Sequence, residues 1–247
     1  MPDESREPKF LEPILGVVFD LDGTLVLSHH DFGRIRAAVV RAAERHGVVP
    51  GHLSVQEPVH RIVESAREEL RVAGAPDGEF WKFEAEYQKA IDAIELEALP
   101  KTVVRPGAAE MLRALAQRGF RLGILTRSSE AFARAALART GLAAFFPYLR
   151  TRSSPGPAKP SPEALLLILG EMGIPLERAL YVGDHLIDAE CATRARVRFY
   201  AILPDPSETW NVGMTTDRFL SAGASAVAHD IPELARHLGG APSPRAA

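Results

Sequence analysis

Two carboxylates stand two residues apart, directly after an apolar segment. Residues 14–25 read ILGVVFDLDGTL, so Asp20 and Asp22 follow five apolar residues and one glycine. Such a run is typical of a strand buried on both faces of a parallel sheet, and ligands bind at the carboxyl ends of such strands. Acids in this position could serve in nucleophilic or acid–base chemistry. The simpler alternative is an Asp-Gly turn with both acids solvated.

Four further polar groups occupy comparable positions later in the chain. The string FRLGILT predicts a second strand that ends at Thr126, and ALYVGD predicts another that ends at Asp184. Lys159 lies in a proline-rich loop, and Asp188 lies four residues after Asp184, on the same side of a predicted helix start. Each has an ordinary alternative explanation, since threonine favours strands, loop lysines face solvent and acids cap helices.

Four strings, FDLDGTL, FRLGILT, KPSPE and GDHLID, stand in the order of four motifs of the haloacid dehalogenase superfamily. The chain resembles the phosphoglycolate-phosphatase-like branch of that superfamily, whose members mostly transfer phosphoryl groups to water. The resemblance implies that Asp20 is the nucleophile and that Asp22 is the acid for the leaving alcohol and the base for water. It also implies that Thr126 binds the transferred phosphoryl group and that Lys159 neutralises both the phosphate and the nucleophile.

The same resemblance implies a Mg²⁺ cofactor. Asp20, the backbone carbonyl of Asp22, and Asp184 form a sufficient set, because Mg²⁺ usually takes one or two carboxylates with water and substrate phosphate. Asp188 is expected to support these ligands from behind. Arg127 stands where many relatives carry a small residue or asparagine, and two roles stay open: its guanidinium grips the phosphate, or it pairs with a carboxylate of the cap.

The segment that follows the first strand is predicted to be helical. Apolar residues recur at helical spacing from Gly33 to Leu99, with no strand candidate. In the related branch a helical cap stands at this position and excludes water from the crevice. Candidate specificity residues in the cap and its approach loops are His29, His30, Arg34, Arg61 and Arg67. The adjacent histidines by themselves favour a solvated loop pair over a metal site, because neighbouring side chains point in different directions.

These features predict an α/β protein with a Rossmann-like parallel sheet flanked by helices and an inserted all-helical cap. We expect residues 1–27 and 100–240 to form the core domain and residues 28–99 to form the cap. Residues 241–247 are expected to be a flexible tail.

Composition restricts the function classes. At 247 residues and 46% hydrophobic content the chain can bury a substantial core. A net charge of −3 gives no basic field for a nucleic acid, and no apolar run approaches the ~20 residues of a membrane span. The N-terminus lacks a signal-peptide pattern, and the single cysteine, Cys191, fits a reducing compartment, so we expect a cytoplasmic protein. Nothing predicts the oligomeric state.

The sequence therefore predicts a Mg²⁺-dependent phosphatase that hydrolyses a small phosphorylated metabolite through an aspartyl-phosphate. The alternatives are a sugar phosphomutase or haloacid dehalogenase of the same superfamily, or a non-catalytic phosphate-binding module. Two departures weaken any named substrate: Leu27 stands where this branch usually has an acid, and Arg196 stands where a glycine commonly follows the fourth motif.

Overall fold

A parallel sheet is the framework of the protein, which a computed structural model describes over residues 13–205, 207 and 213–239. The strands are β1 (Gly16–Phe19), β2 (Val26–Leu27), β3 (Val103–Val104), β4 (Arg121–Leu125), β5 (Tyr148–Arg150), β6 (Ala179–Gly183), β7 (Arg198–Ile202) and β8 (Ala226–Ala228). Within these residues a six-stranded sheet runs in the order β5-β4-β1-β6-β7-β8, with every pairing parallel. The predicted α/β fold class is confirmed. The predicted tail, 241–247, lies outside the described residues.

Helices cover both faces of this sheet and fill the segment between β2 and β3. They are α1 (Phe32–Arg45), α2 (Val59–Val72), α3 (Asp77–Ala98), α4 (Ala108–Gln117), α5 (Glu130–Arg139), α6 (Pro162–Met172), α7 (Leu186–Ala195), α8 (Thr216–Ser221) and α9 (Ile231–Gly239). None of the helices in the described part of the chain combines the length and apolar character needed to cross a lipid bilayer.

The central strand, β1, is buried on both faces. Val17 and Phe19 belong to the apolar cluster that α4, α5 and α9 complete on one face. Val18 belongs to the cluster that α6 and α7 complete on the other face. Because alternate strand residues point to opposite faces, burial on both sides requires an unbroken apolar run, as the sequence has.

The register of the three central strands brings their ends to one edge. Phe19, the last residue of β1, pairs with Ile124 of β4 and with Val182 of β6. The polar residues that follow these strands therefore leave the sheet side by side. This edge is where open α/β sheets bind ligands.

The helices α1–α3 have an apolar cluster of their own. Ile62, Leu70 and Phe83 are buried in it, and Tyr87 packs beside Phe83. The antiparallel pairing of β2 with β3 places the chain entering this segment beside the chain leaving it. The segment matches the helical pattern read from Gly33 to Leu99.

Candidate active site

Lys159 lies between two carboxylates at the ends of the central strands. Its Nζ is 2.9 Å from Oδ1 of Asp20, which follows β1, and 2.7 Å from Oδ1 of Asp188, in the first turn of α7. The hydroxyl of Tyr181 donates a hydrogen bond to the same Asp188 oxygen at 2.8 Å, and the backbone N–H of His185 donates to Oδ2 at 3.1 Å. The predicted site residues Asp20, Lys159 and Asp188 are therefore in direct contact.

Asp184 reaches the same cluster from the end of β6. The hydroxyl of Thr24 donates a hydrogen bond to its Oδ1 at 2.8 Å. One oxygen from each of Asp20, Asp184 and Asp188 lies within 4.8 Å of the others. Gly23 permits this approach, since its φ is +79° and a Cβ built on it would lie 2.2 Å from Oδ2 of Asp184.

The cluster is short of positive charge. Burial raises the pKa of Asp20 to about 7, because the loss of solvent outweighs the attraction of Lys159. Burial and the neighbouring Asp20 raise the pKa of Asp184 well above its usual range. Burial alone would lower the pKa of Lys159, but Asp188 and Asp20 together raise it. Among these four groups, three carboxylates face one ammonium.

This donor set fits a divalent cation. Carboxylate oxygens are the ligands that Mg²⁺ takes in proteins, and a cation beside Asp20 and Asp184 would lower the pKa of each carboxyl again. Asp188 already contacts Lys159 and Tyr181. These contacts agree with its expected role of supporting the metal ligands from behind.

A second set of polar side chains contacts Asp22, next to this cluster. The hydroxyl of Ser128 donates a hydrogen bond to Oδ2 at 2.5 Å, and Nε2 of His30 lies 3.2 Å from Oδ1. Burial alone would raise the pKa of Asp22, but His30, Ser128 and Ser28 lower it below its ordinary value. Asp22 is therefore ionised at neutral pH.

His30 is buried, which corrects the predicted solvated loop pair. Its ring lies against Phe132, with 4.6 Å between centroids, whereas His29 is exposed with a φ of 52°. No spacing rule separates the two histidines. A usable signal is Asp31, which starts α1 by accepting a hydrogen bond from the backbone N–H of Arg34 at 2.9 Å. The residue before an N-cap often packs against the helix that it precedes, and the His30 ring packs against Phe32 in the first turn of α1.

Thr126 and Arg127 follow β4 and line the same cavity as Asp20. The buried hydroxyl of Thr126 accepts a hydrogen bond from the backbone N–H of Ser128 at 3.1 Å. The Arg127 guanidinium donates to the backbone carbonyl of Lys159, an arrangement that neither of its two predicted roles describes. Burial lowers the pKa of Arg127, and repulsion from the nearby Arg152 lowers it further.

A cavity of about 310 Å³ joins these groups to the helical segment. Its lining from the sheet side includes Asp20, Asp22, Thr126, Arg127, Lys159 and Asp188, and its lining from the helical side includes Phe32, Arg36, Gln56, Val59, His60 and Glu95. Sequence reasoning missed Arg36 and His60. Arg36 lies near the N-terminal end of α1, and His60 lies at the N-terminal end of α2. No sequence motif contains either residue.

The arginines expected at the entrance are elsewhere. Arg34 pairs with Glu97, Arg61 with Glu64 and Arg67 with Glu84, all with exposed or partly exposed side chains. Within the described chain none of these three arginines lines the cavity. The structure therefore does not bring these three candidates to the cavity, because helical spacing does not reveal which charged face turns toward the sheet.

Comparison with known proteins places this geometry in a family. A family model described as haloacid dehalogenase-like hydrolase matches residues 14–196. The phosphoglycolate phosphatase of Rhodospirillum rubrum is 30% identical over 228 residues, which is 90% of each chain. The N-acetylmuramic acid 6-phosphate phosphatase of Pseudomonas aeruginosa is 31% identical over 220 residues, which cover 81% of this chain and 89% of that protein.

A solved structure shows the same fold. The crystal structure of a hydrolase from Pseudomonas syringae aligns with a TM-score of 0.63 and 22% identity over 91% of this chain and 97% of the other. The family model spans every predicted site residue from Asp20 to Asp188. Phosphoglycolate phosphatases are among the relatives of this enzyme. The chain therefore belongs to the haloacid dehalogenase-like hydrolase family.

Proposed function

We propose that this hydrolase is a Mg²⁺-dependent phosphomonoesterase that acts on a small phosphorylated metabolite, with Asp20 as the nucleophile. The observation that carries the proposal is the position of Lys159 between Asp20 and Asp188, with Asp184 alongside. A carboxylate that approaches a phosphate dianion is repelled unless cations neutralise the charge. The cluster offers one cation and the ligands for a second.

In this mechanism a carboxylate oxygen of Asp20 bonds to phosphorus while the bond from phosphorus to the leaving oxygen breaks. The product is an aspartyl-phosphate, which water then hydrolyses. Lys159 and Thr126 bind and orient the phosphoryl group. Positioning of this kind contributes up to ~7–11 kcal/mol in favourable intramolecular cases.

Asp22 moves the protons. It is ionised before the substrate binds, and the negative charge of a bound phosphate raises the pKa of a neighbouring carboxyl. Asp22 therefore takes up a proton with the substrate, donates it to the leaving oxygen, and later accepts one from the attacking water. Acid–base assistance of this kind contributes ~10²–10⁴-fold.

We assign the Mg²⁺ ligands to Asp20, the backbone carbonyl of Asp22, and Asp184. When bound, the ion neutralises phosphate charge and stabilises charge in the transition state. The fit rests on three clustered carboxylate groups and on the raised pKa values of Asp20 and Asp184.

We assign residues 28–99 the part of a cap domain over the core. Arg36 and His60 bring two cationic or polar groups of this segment into the cavity, which at about 310 Å³ suits a small metabolite. A cap of this kind excludes water from the reacting phosphate. Phosphoglycolate and N-acetylmuramic acid 6-phosphate, the compounds in the names of two relatives, belong in the first substrate panel.

The test is phosphate release from a panel of phosphorylated metabolites with Mg²⁺. Asp20→Asn should fold and lose activity by at least ~10³-fold, and EDTA should abolish wild-type turnover. Asp217→Asn makes the same chemical change at an exposed position and serves as the control. Activity of Asp20→Asn equal to the wild type would end the assignment.

The same assays separate the alternatives. Release of halide from a haloacid that continues at the same rate in the presence of EDTA would indicate a dehalogenase. Isomerisation of a sugar phosphate without net phosphate release would indicate a mutase. A metal-replete wild type that turns over no phosphate ester would indicate a binding module.

A further inference from the structure

We propose that His30 is a positioning residue for Asp22: together with Ser128 it holds the Asp22 carboxylate in the orientation that reaches the leaving-group oxygen. The inference rests on the proposed function, because it assigns a role within that reaction. It concerns a residue that none of the four motifs contains.

Each oxygen of the Asp22 carboxylate has a polar neighbour. The Ser128 hydroxyl donates to Oδ2 at 2.5 Å, and Nε2 of His30 lies 3.2 Å from Oδ1. Ser128 follows β4, whereas His30 lies just before α1. Contacts from two parts of the chain, Ser128 and His30, thus restrict rotation of the Asp22 carboxylate.

His30 is itself fixed in place. Its side chain is 3% exposed, and its ring packs against Phe132 and nearly perpendicular to Phe32, with centroids 4.6 and 5.7 Å apart. The next residue, Asp31, caps α1. A side chain immobilised by packing holds its partner more precisely than a flexible one, because less rotational freedom remains to be lost.

A role in packing alone does not account for this arrangement. His30 and Asp22 both line the cavity with Asp20 and Lys159. A buried polar ring is costly unless it has polar partners, and the proposed acid–base group lies 3.2 Å from Nε2 of His30. The start of the helical segment is thereby coupled to the chemistry at the strand ends.

The leaving group provides a readout that a structural role would not change. Protonation of the leaving oxygen matters most for an alkyl alkoxide and little for an aryl oxide, which departs without a proton. A displaced Asp22 should therefore slow alkyl phosphates much more than aryl phosphates. General loss of folded enzyme would slow both equally.

The experiment measures kcat/KM of His30→Phe, which reports the steps up to departure of the leaving group and not the later hydrolysis of the aspartyl-phosphate, on p-nitrophenyl phosphate and on the alkyl phosphate that the wild type turns over fastest. Phenylalanine keeps the aromatic packing and removes the ring nitrogens. We expect a loss of ~10²-fold on the alkyl phosphate and a loss smaller by at least tenfold on the aryl phosphate. Ser128→Ala should show the same selectivity, and His30→Gln should restore part of the alkyl activity.

His52→Gln is the control, since this histidine of the helical segment is exposed, pairs with Glu69 and does not line the cavity. It should leave both rates unchanged. Equal losses on the two substrates, or no loss on the alkyl phosphate, would overturn the proposal while the proposed function stands. A wild type that hydrolyses neither p-nitrophenyl phosphate nor any alkyl phosphate of the panel would instead refute the proposed function. If His30→Phe fails to fold by thermal melting, His30→Gln and Ser128→Ala decide the question.

Discussion

The helical segment and the strand ends use charge in opposite ways. On the helices, the Lys82–Glu79 pair has side chains 67% and 31% exposed, and pairs of this kind contribute ~0–1 kcal/mol to stability. At the strand ends, Lys159 and Asp188 are 2% and 1% exposed. Burying charges costs several kcal/mol for each ion, which pairing only partly offsets. The exposed pairs therefore add little to stability, whereas burial of the cluster at the strand ends costs stability, a cost that the proposed reaction would explain.

One buried group joins the two regions. Arg152, after β5, donates to Asp92 at 2.5 Å and to Glu95 at 2.7 Å, both on α3. The backbone N–H of Ser129, at the start of α5, also donates to Glu95, at 2.9 Å. These contacts attach the longest helix of the segment to the edge of the sheet near the cavity.

The largest change in the free energy of unfolding is expected from Lys159→Gln, which removes the cation of the buried cluster. Asp20 and Asp188 would then lie close together without a neutralising partner. We expect a loss of activity of at least ~10²-fold and a fall in the free energy of unfolding of about 3 kcal/mol at about pH 8. The fall should be smaller at about pH 5, because Asp20, whose pKa is raised to about 7, is protonated there and leaves less negative charge unpaired.

Lys82→Gln is the matched control for this comparison, since it removes an exposed lysine from its pair with Glu79. Its effect should stay below ~0.5 kcal/mol. Chemical denaturation of both variants measures the difference. Equal destabilisation by the two substitutions would show that burial does not distinguish the two regions.

The second prediction concerns pH and Mg²⁺. The folded protein holds protons on Asp20 and Asp184 above the pH at which the unfolded chain loses them, because both pKa values are raised. The contribution of Asp20 to stability is therefore complete below about pH 4 and declines as pH rises through its raised pKa of about 7. The contribution of Asp184 changes with pH in the same direction. Mg²⁺ must displace those protons, so its stabilisation, about 2–3 kcal/mol at a hundredfold excess over Kd, should grow with pH.

Thermal melting with and without Mg²⁺ at about pH 5 and about pH 8 checks this sign. The rise in Tm caused by the ion should be larger at the higher pH. An equal rise at both values would show that the carboxylates of the cluster do not bind the ion. Asp184→Asn should lose most of the rise.

The smallest effect tests the connection between the two regions. Arg152→Gln should lower the free energy of unfolding by about 2 kcal/mol, since it leaves the buried Glu95 without its cation. Arg71→Gln, which removes an exposed pair with Glu68 one turn away, should leave the free energy of unfolding nearly unchanged. Denaturant titration measures both. Similar values for the two variants would show that the buried contact adds no stability to the docked segment.

The sheet and the residues at its strand ends could be predicted from sequence because their information is local. An apolar run that ends in Asp20, or a short strand that ends in Asp184, specifies both the element and the end at which the acid lies. Parallel register then brings the ends together, as the pairing of Phe19 with Val182 shows.

The cavity walls could not be predicted in the same way. His30, Arg36 and His60 depend on how the helical segment lies over the sheet, which helical periodicity does not encode. Periodicity identifies the buried face of a helix but not which part of its polar face meets another region. The same limit applies to two arginines whose positions the sequence does not specify. Arg127 contacts the backbone of Lys159, and Arg34 lies at the surface.

The central claim is that Asp20 carries the phosphoryl group during turnover. The most direct measurement is an acid quench of a single turnover, followed by borohydride reduction and peptide mass spectrometry, with Asp22→Asn used to slow hydrolysis of the intermediate. The account predicts that residue 20 is recovered as homoserine, the reduction product of an aspartyl-phosphate. Turnover with residue 20 recovered only as aspartate, in the wild type and in Asp22→Asn, would contradict it.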